Sequence, residues 1–255
     1  MPRGVVDVNQ AGAGVGNWYQ SLPPITRFLA TACFLSSLGT YLGILQPKNL
    51  ALLGPFIFKQ YELWRLVTPH FFIGGFGMKF LFNMIWLLQY GQILEGQTYM
   101  FAPADMVWML LFSAGCLTAV GLAVPSLGLV FTASSLIFTL IYVYSRNFPT
   151  QNVSIMGLFT VQSFYLPFAF LGITVILGGD PIPDILGMAV GHAYWFFSEI
   201  YPASGGAALL GTPRWVATAT AHLGIGPPPR PVDSVPAGFA AFRGAGRRLG
   251  DAHRD

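Results

Sequence analysis

Serine and histidine are the residues in this chain that could together cut a peptide bond, and each role has a candidate. His192 follows the pair Gly187-x-x-x-Gly191 inside an apolar stretch, and Ser126, Ser134 and Ser135 are the serines of the stretches opposite it. A histidine within hydrogen-bond reach activates a serine, provided that oxyanion donors stand nearby. The local strings are Val124-Pro125-Ser126-Leu127-Gly128 and Thr132-Ala133-Ser134-Ser135-Leu136, and neither is a Gly-x-Ser-Gly nucleophile turn. The sequence therefore assigns no catalytic residue. An ionisable side chain at depth in an apolar helix is still a functional candidate. The competing reading of His192 is a neutral ring hydrogen-bonded between helices. Cys33 and Cys116 both lie in apolar stretches and read as small buried hydrophobes, so neither a disulfide, a metal set nor a cofactor is expected.

The elements that must position these residues are membrane helices. Hydrophobic residues make up 54% of the 255 residues and charged residues 9%, against about 25% charged in a soluble domain. A span needs about 20 mostly apolar residues. Six stretches qualify as candidates: Phe28–Leu45, Phe80–Leu94, Met106–Val124, Leu127–Tyr144, Met156–Leu177 and Ile185–Ile200. Their uniform apolarity indicates helices, not barrel strands. Phe80–Leu94 and Ile185–Ile200 would cover only about 22–24 Å of a hydrocarbon core about 30 Å thick. Either they extend further or they thin the bilayer around them.

Glycines four apart, as in Gly187 and Gly191, share a helix face and let a second backbone approach. The connection Gln46–Lys79 is aromatic and amphipathic, which suits the headgroup boundary. Its Trp64-Arg65 pair reads either as a belt anchor or as a pin, with Arg65 bonding backbone carbonyls. Six crossings put both termini on one side, but basic residues flank both sides and leave the orientation open. Residues 1–24 do not read as a cleavable signal peptide. The net charge is +3, with several arginines in the tail, and no basic face of a nucleic-acid-binding domain is visible.

Several motifs in combination resemble the Derlin family. They are Trp18-Tyr19-x-Ser21-Leu22-Pro23-Pro24-Ile25-Thr26-Arg27, Trp64-Arg65, Asn83, Gln89-Tyr90-x-x-x-Leu94-Glu95, Tyr165-Leu166-Pro167 and Gly187-x-x-x-Gly191-His192. The resemblance implies a rhomboid-like all-α bundle of six transmembrane helices without the protease nucleophile turn. In the wider rhomboid group the catalytic histidine precedes the glycine pair. Here Pro183, Asp184 and Leu186 occupy that neighbourhood and His192 follows it.

Phe242-x-Gly244-x-Gly246-x-x-Leu249 is similar to the SHP box by which Derlins bind the valosin-containing AAA ATPase. An extended peptide of this kind adds to a sheet edge, with its apolar ends in pockets and its glycines allowing close approach. The resemblance thus divides the chain into a cytosolic segment 1–24, a membrane domain 25–202 and a flexible cytosolic tail 203–255. It implies an endoplasmic reticulum membrane protein with both termini cytosolic. Its role would be in the export of misfolded proteins for degradation, beside a membrane ubiquitin ligase or as a homo-oligomer. Substrate would enter between the short second and sixth spans, with Asn83, Gln89 and His192 as candidate contacts. An intramembrane serine protease is the competing function. A solute transporter would call for inverted repeats with broken helices, which are not visible.

Overall fold

A computed structural model describes residues 8–155, 157, 159–207 and 209–225. The described residues are mostly helical. Its helices are α1 (Val8–Ser21), α2 (Pro24–Tyr41), α3 (Pro47–Leu50), α4 (Gly54–Gln60), α5 (Met78–Ile93), α6 (Pro103–Ala123), α7 (Ala133–Asn147), α8 (Leu166–Ile176), α9 (Ile182–Trp195), α10 (Tyr201–Ala203) and α11 (Arg214–His222). Proline stands in the first turn of α2, α6, α8 and α9, where its fixed φ suits the helix and its missing N–H is not needed.

Contacts at the helix ends fix the direction of each element. Glu95, just past the end of α5, meets the start of α2. Thr132, before α7, meets His70, which also reaches Thr118 in the second half of α6. Asp105 at the start of α6 accepts from Thr212, just before α11. Tyr90 and Tyr144, near the ends of α5 and α7, pack together, and Trp195 at the end of α9 lies beside Arg146, so the helices α2, α5, α6, α7, α8 and α9 alternate in direction, with the ends of α5, α7 and α9 at the level of the start of α2.

The core is α7. Every residue from Ala133 to Ser145 is buried, which a helix achieves only when neighbours cover it all round. Trp86 of α5 packs edge-on against Phe138, with ring centroids 5.9 Å apart. On the opposite side α9 presses its glycines onto α7. A Cβ at Gly187 would lie 2.1 Å from the Ser135 carbonyl oxygen, and one at Gly191 would lie 3.0 Å from Tyr142 Cβ. Thr139 Oγ1 seals this contact by donating to the Gly187 carbonyl at 2.9 Å.

Three boundaries differ from the sequence reading. First, α5 does not stop at the expected end but runs on through a five-residue π-helical turn, Leu94–Thr98. Likewise α9 runs through Phe196–Ile200 into α10. The two spans that looked short are thus extended. Second, the stretch Met156–Leu177 does not open as a helix. Strands β1 (Asn152–Ile155) and β2 (Phe159–Gln162) form an antiparallel hairpin pairing Asn152 with Gln162 and Ile155 with Phe159. The helix that follows, α8, has eleven residues and continues a 3-10 turn, Ser163–Tyr165, and even with that turn it is the shortest of the principal helices. Third, α7 begins at Ala133 and not at Leu127, because Pro125–Leu127 form a 3-10 turn closed by Gly128 at φ 62°. Among the described residues α6 is the one helix that is by itself long and apolar enough to cross a membrane.

The first loop is pinned from inside. Arg65 is 2% exposed. It donates to the Lys48 carbonyl, to the Ala51 carbonyl at 3.1 Å and to the Glu62 carboxylate, and its guanidinium lies 4.8 Å from the Phe56 ring centre. Trp64 beside it faces outward and is 54% exposed. Arg65→Lys should therefore destabilise the fold by about 1–3 kcal/mol, because one ammonium cannot reproduce this fork. Trp64→Ala should stay within about 0.5 kcal/mol. Thermal unfolding in detergent micelles separates the two.

Within the stretch read as tail, α11 packs onto α6. Trp215 meets Trp108 edge-on at 6.4 Å, and Val216 and Thr220 are buried. The residues of the Phe242–Leu249 motif lie outside the described residues.

Candidate functional site

His192 sits mid-way along α9, and its Nδ1 shares a hydrogen bond of 2.7 Å with the Tyr142 hydroxyl of α7. Its ring is exposed on the outer face of the bundle. The candidate serines lie elsewhere. Ser135 is seven residues before Tyr142, about 10 Å back along the helix, and stands level with Gly187. Ser134 is its neighbour, and Ser126 is exposed in the connection before α7. The structure does not bring His192 to any of the three.

A second histidine holds the hydroxyls that sequence reasoning overlooked. His70 Nδ1 bonds Thr132 Oγ1 at 2.7 Å and its Nε2 bonds Thr118 Oγ1 at 3.0 Å. Burial pushes its pKa down to about 4, so the ring stays neutral. Both nitrogens are engaged and Thr132 is fully buried, which makes this a clamp between the first loop, α6 and α7. A histidine within apolar surroundings, between two threonine-bearing segments, was the available signal.

Asn83 and Gln89 point to different surroundings. Asn83 is buried, donates to the Lys79 carbonyl one turn back, and leaves its Oδ1 without a partner. Gln89 is exposed and lines a groove of about 300 Å³ between α5, the hairpin and α8, beside Trp86, Ser154 and Phe170. Trp86 and Phe170 stack across its floor at 4.3 Å. The expected entrance between the second and sixth spans is corrected here. Tyr144 of α7 meets Tyr90 of α5, whereas Ser135, half a turn round the same helix, meets Gly187 of α9, so α7 stands between those helices and they do not form a shared mouth. The groove beside α5 is bounded by α8 instead. A larger apolar hollow of about 570 Å³ opens between α2 and α6, lined by Phe28, Val67, Phe71 and Leu111 among others.

The outer surface carries many large apolar side chains, including Phe28, Leu35, Leu81, Ile85, Leu111, Phe168, Val175 and Ile185. They stand on α2, α5, α6, α8 and α9, along the length of the bundle. Water would not tolerate so continuous an apolar girdle, whereas lipid does.

Comparison with known proteins agrees. Residues 22–214 match the model of the Der1-like family. Derlin-1 of Oryza sativa subsp. japonica is 40% identical over 236 residues, covering 91% of this chain and 97% of that protein. Derlin-1 of Arabidopsis thaliana is 39% identical over 213 residues, covering 84% and 80%. Derlin-2.1 of Arabidopsis thaliana is 38% identical over 196 residues, covering 74% and 80%. This chain belongs to the Der1-like family.

Among its Derlin-like motifs, Glu95 has a geometric role that the sequence did not reveal. The N-terminus of α2 has proline at its cap and no capping side chain of its own. The Glu95 carboxylate supplies the cap from about 70 residues away. It accepts from the Ile25 amide at 2.8 Å, the Thr26 amide at 2.7 Å and the Thr26 hydroxyl at 2.7 Å. Those amides are orphan donors at the positive end of the helix, so a carboxylate is the natural partner. Gly91, one turn before, makes the approach possible, since a Cβ there would lie 2.9 Å from Thr26 Cγ2. The Derlin strings around Thr26 and around Glu95 thus describe one joint.

Proposed function

We propose that this Derlin is a non-catalytic component of endoplasmic-reticulum-associated degradation that helps misfolded proteins cross to the cytosol. Family membership and the apolar girdle support a place in the membrane. The observation that carries the non-hydrolytic reading is the engagement of both bundle histidines away from the serines. His192 pairs with Tyr142, and His70 pairs with Thr118 and Thr132. The proposed topology has six crossings with both termini in the cytosol. Client chain would pass beside the α5–α8 groove, with Gln89 as its polar contact. The 3-10 turn Ser163–Tyr165 and α8 together form one short apolar helix about 22 Å long, which supplies the mismatch that shortens the lipid barrier there. Charged residues cost about 2.5–3.5 kcal/mol at the bilayer centre on insertion scales, so a thinner path matters without any covalent chemistry.

Force would come from the valosin-containing AAA ATPase, held by Phe242, Gly244, Gly246 and Leu249. A membrane ubiquitin ligase, or further copies of this chain, would complete the passage. In a pull-down from solubilised membranes, Phe242→Ala with Leu249→Ala should lower ATPase recovery at least about tenfold, the effect of losing two apolar anchors. A serine-directed probe should label neither the wild-type chain nor His192→Ala. Unchanged recovery would remove the docking role, and labelling abolished by His192→Ala would restore the protease.

A further inference from the structure

The last turn of α7 holds a cation that its surroundings do not neutralise. Arg146 lies among three aromatic rings, with its guanidinium carbon 4.6 Å from the centre of Tyr142, 4.3 Å from Phe164 and 5.8 Å from Trp195. Its Nε is closed off from solvent without a hydrogen-bond partner, so the edge of this half-buried residue that a ligand can reach is its pair of terminal amino groups. The ion pair found among the described residues is Arg65 with Glu62, so no described carboxylate lies within 4.0 Å of Arg146. Ring faces attract the charge but offer no oxygen to the N–H edge. A guanidinium has five donors in a planar fork, and that fork matches a phosphate group in two-point contact.

The surroundings select the source of the phosphate. Arg146 stands at the end of α7 that lies level with the hairpin and the start of α8. There the exposed apolar surface ends in two exposed aromatics, Phe164 and Tyr165. Aromatic rings beside a basic residue at such a boundary mark the headgroup level of a bilayer. The geometry points to Arg146 as a phosphate receptor for a phospholipid headgroup, seated between α7, α9 and the turn before α8. The assignment rests on the membrane-embedded reading, but not on any export activity. Tyr142 couples the seat to His192, because the ring that faces the guanidinium also holds the histidine through its hydroxyl.

Native mass spectrometry of the purified full chain tests this, after exchange into detergent with phosphatidylglycerol, diacylglycerol or inorganic phosphate. Wild type should retain phosphatidylglycerol, whereas Arg146→Met should lose about tenfold in retention, as expected for a charge-assisted two-point contact. Arg146→Lys should fall between, since it keeps the charge but not the fork. A thermal unfolding midpoint for Arg146→Met close to wild type shows that the loss is local. If the midpoint falls, the Lys variant, read at the same stability, decides. Equal retention by wild type and Arg146→Met overturns the site. So does equal retention of diacylglycerol, which lacks the phosphate, and inorganic phosphate bound as tightly as the lipid would reassign the seat to the free anion. Flotation of wild type with vesicles tests the membrane reading separately.

Discussion

Gly187→Val should prevent the bundle from closing, with a loss of stability of at least about 3 kcal/mol and little folded protein recovered from membranes. The first carbon added at Gly187 would meet the Ser135 carbonyl oxygen at 2.1 Å and the Phe138 Cβ at 2.9 Å. The obstacle is backbone, which cannot rotate aside, so α7 and α9 must separate. Separation also breaks the bond from Thr139 Oγ1 to the Gly187 carbonyl. Gly191→Ala should be milder, because its nearest obstacle is Tyr142 Cβ at 3.0 Å. Gly172→Ala on α8 and Gly115→Ala on α6 meet nothing within 4 Å, and should be silent. Detergent-resistant folding, read by fluorescence size-exclusion and thermal unfolding, gives the order. Gly187→Val as stable as Gly172→Ala would mean that the α7–α9 contact is not the tight one.

Glu95→Ala should be the second severe change, at about 3 kcal/mol or more. It leaves the Ile25 and Thr26 amides and the Thr26 hydroxyl without their acceptor, and each such buried group costs about 1–3 kcal/mol. A chain of this size loses about 2–4 °C in midpoint per kcal/mol, so a fall of roughly 10 °C is expected. Glu95→Gln should recover part of the loss, since one amide oxygen still accepts while the NH2 group faces a donor. Thr26→Val removes the hydroxyl bond alone and should cost least. A midpoint unchanged in Glu95→Ala would show that water or another group can cap α2.

The sequence made some of this legible and hid the rest for definite reasons. Apolar stretches located the six principal helices, because lipid demands uniform apolarity and turn residues mark the breaks. The glycine spacing in α9 identified its close-packed face. The hairpin was missed because Val153, Ile155, Phe159 and Val161 continue the apolar run that becomes α8, and short runs of this kind do not distinguish strand from helix. The π-helical turns after α5 and α9 have no periodic signature, so both helices looked shorter than they are. Glu95 was visible only as part of a family string, since its partners lie about 70 residues away. Trp64 and Arg65 are adjacent but oppositely placed, a distinction that composition cannot make. In the sequence Arg146 is one of the basic residues that flank the apolar stretches, and only the packing of Tyr142, Phe164 and Trp195 around it distinguishes it.

The enclosure of α7 on every side has a consequence for biogenesis. A segment that never faces acyl chains gains nothing from leaving the insertion machinery alone. It carries Ser134, Ser135, Thr139 and Ser145, whose hydroxyls favour protein neighbours over hydrocarbon. Partnership with α9, made much later in synthesis, completes its surroundings through Thr139 and Gly187. The packing around α7 is therefore complete only once α9 is in place. A nascent protein arrested after α8 would hold its central segment half-clothed, in the condition that membrane quality control recognises in others.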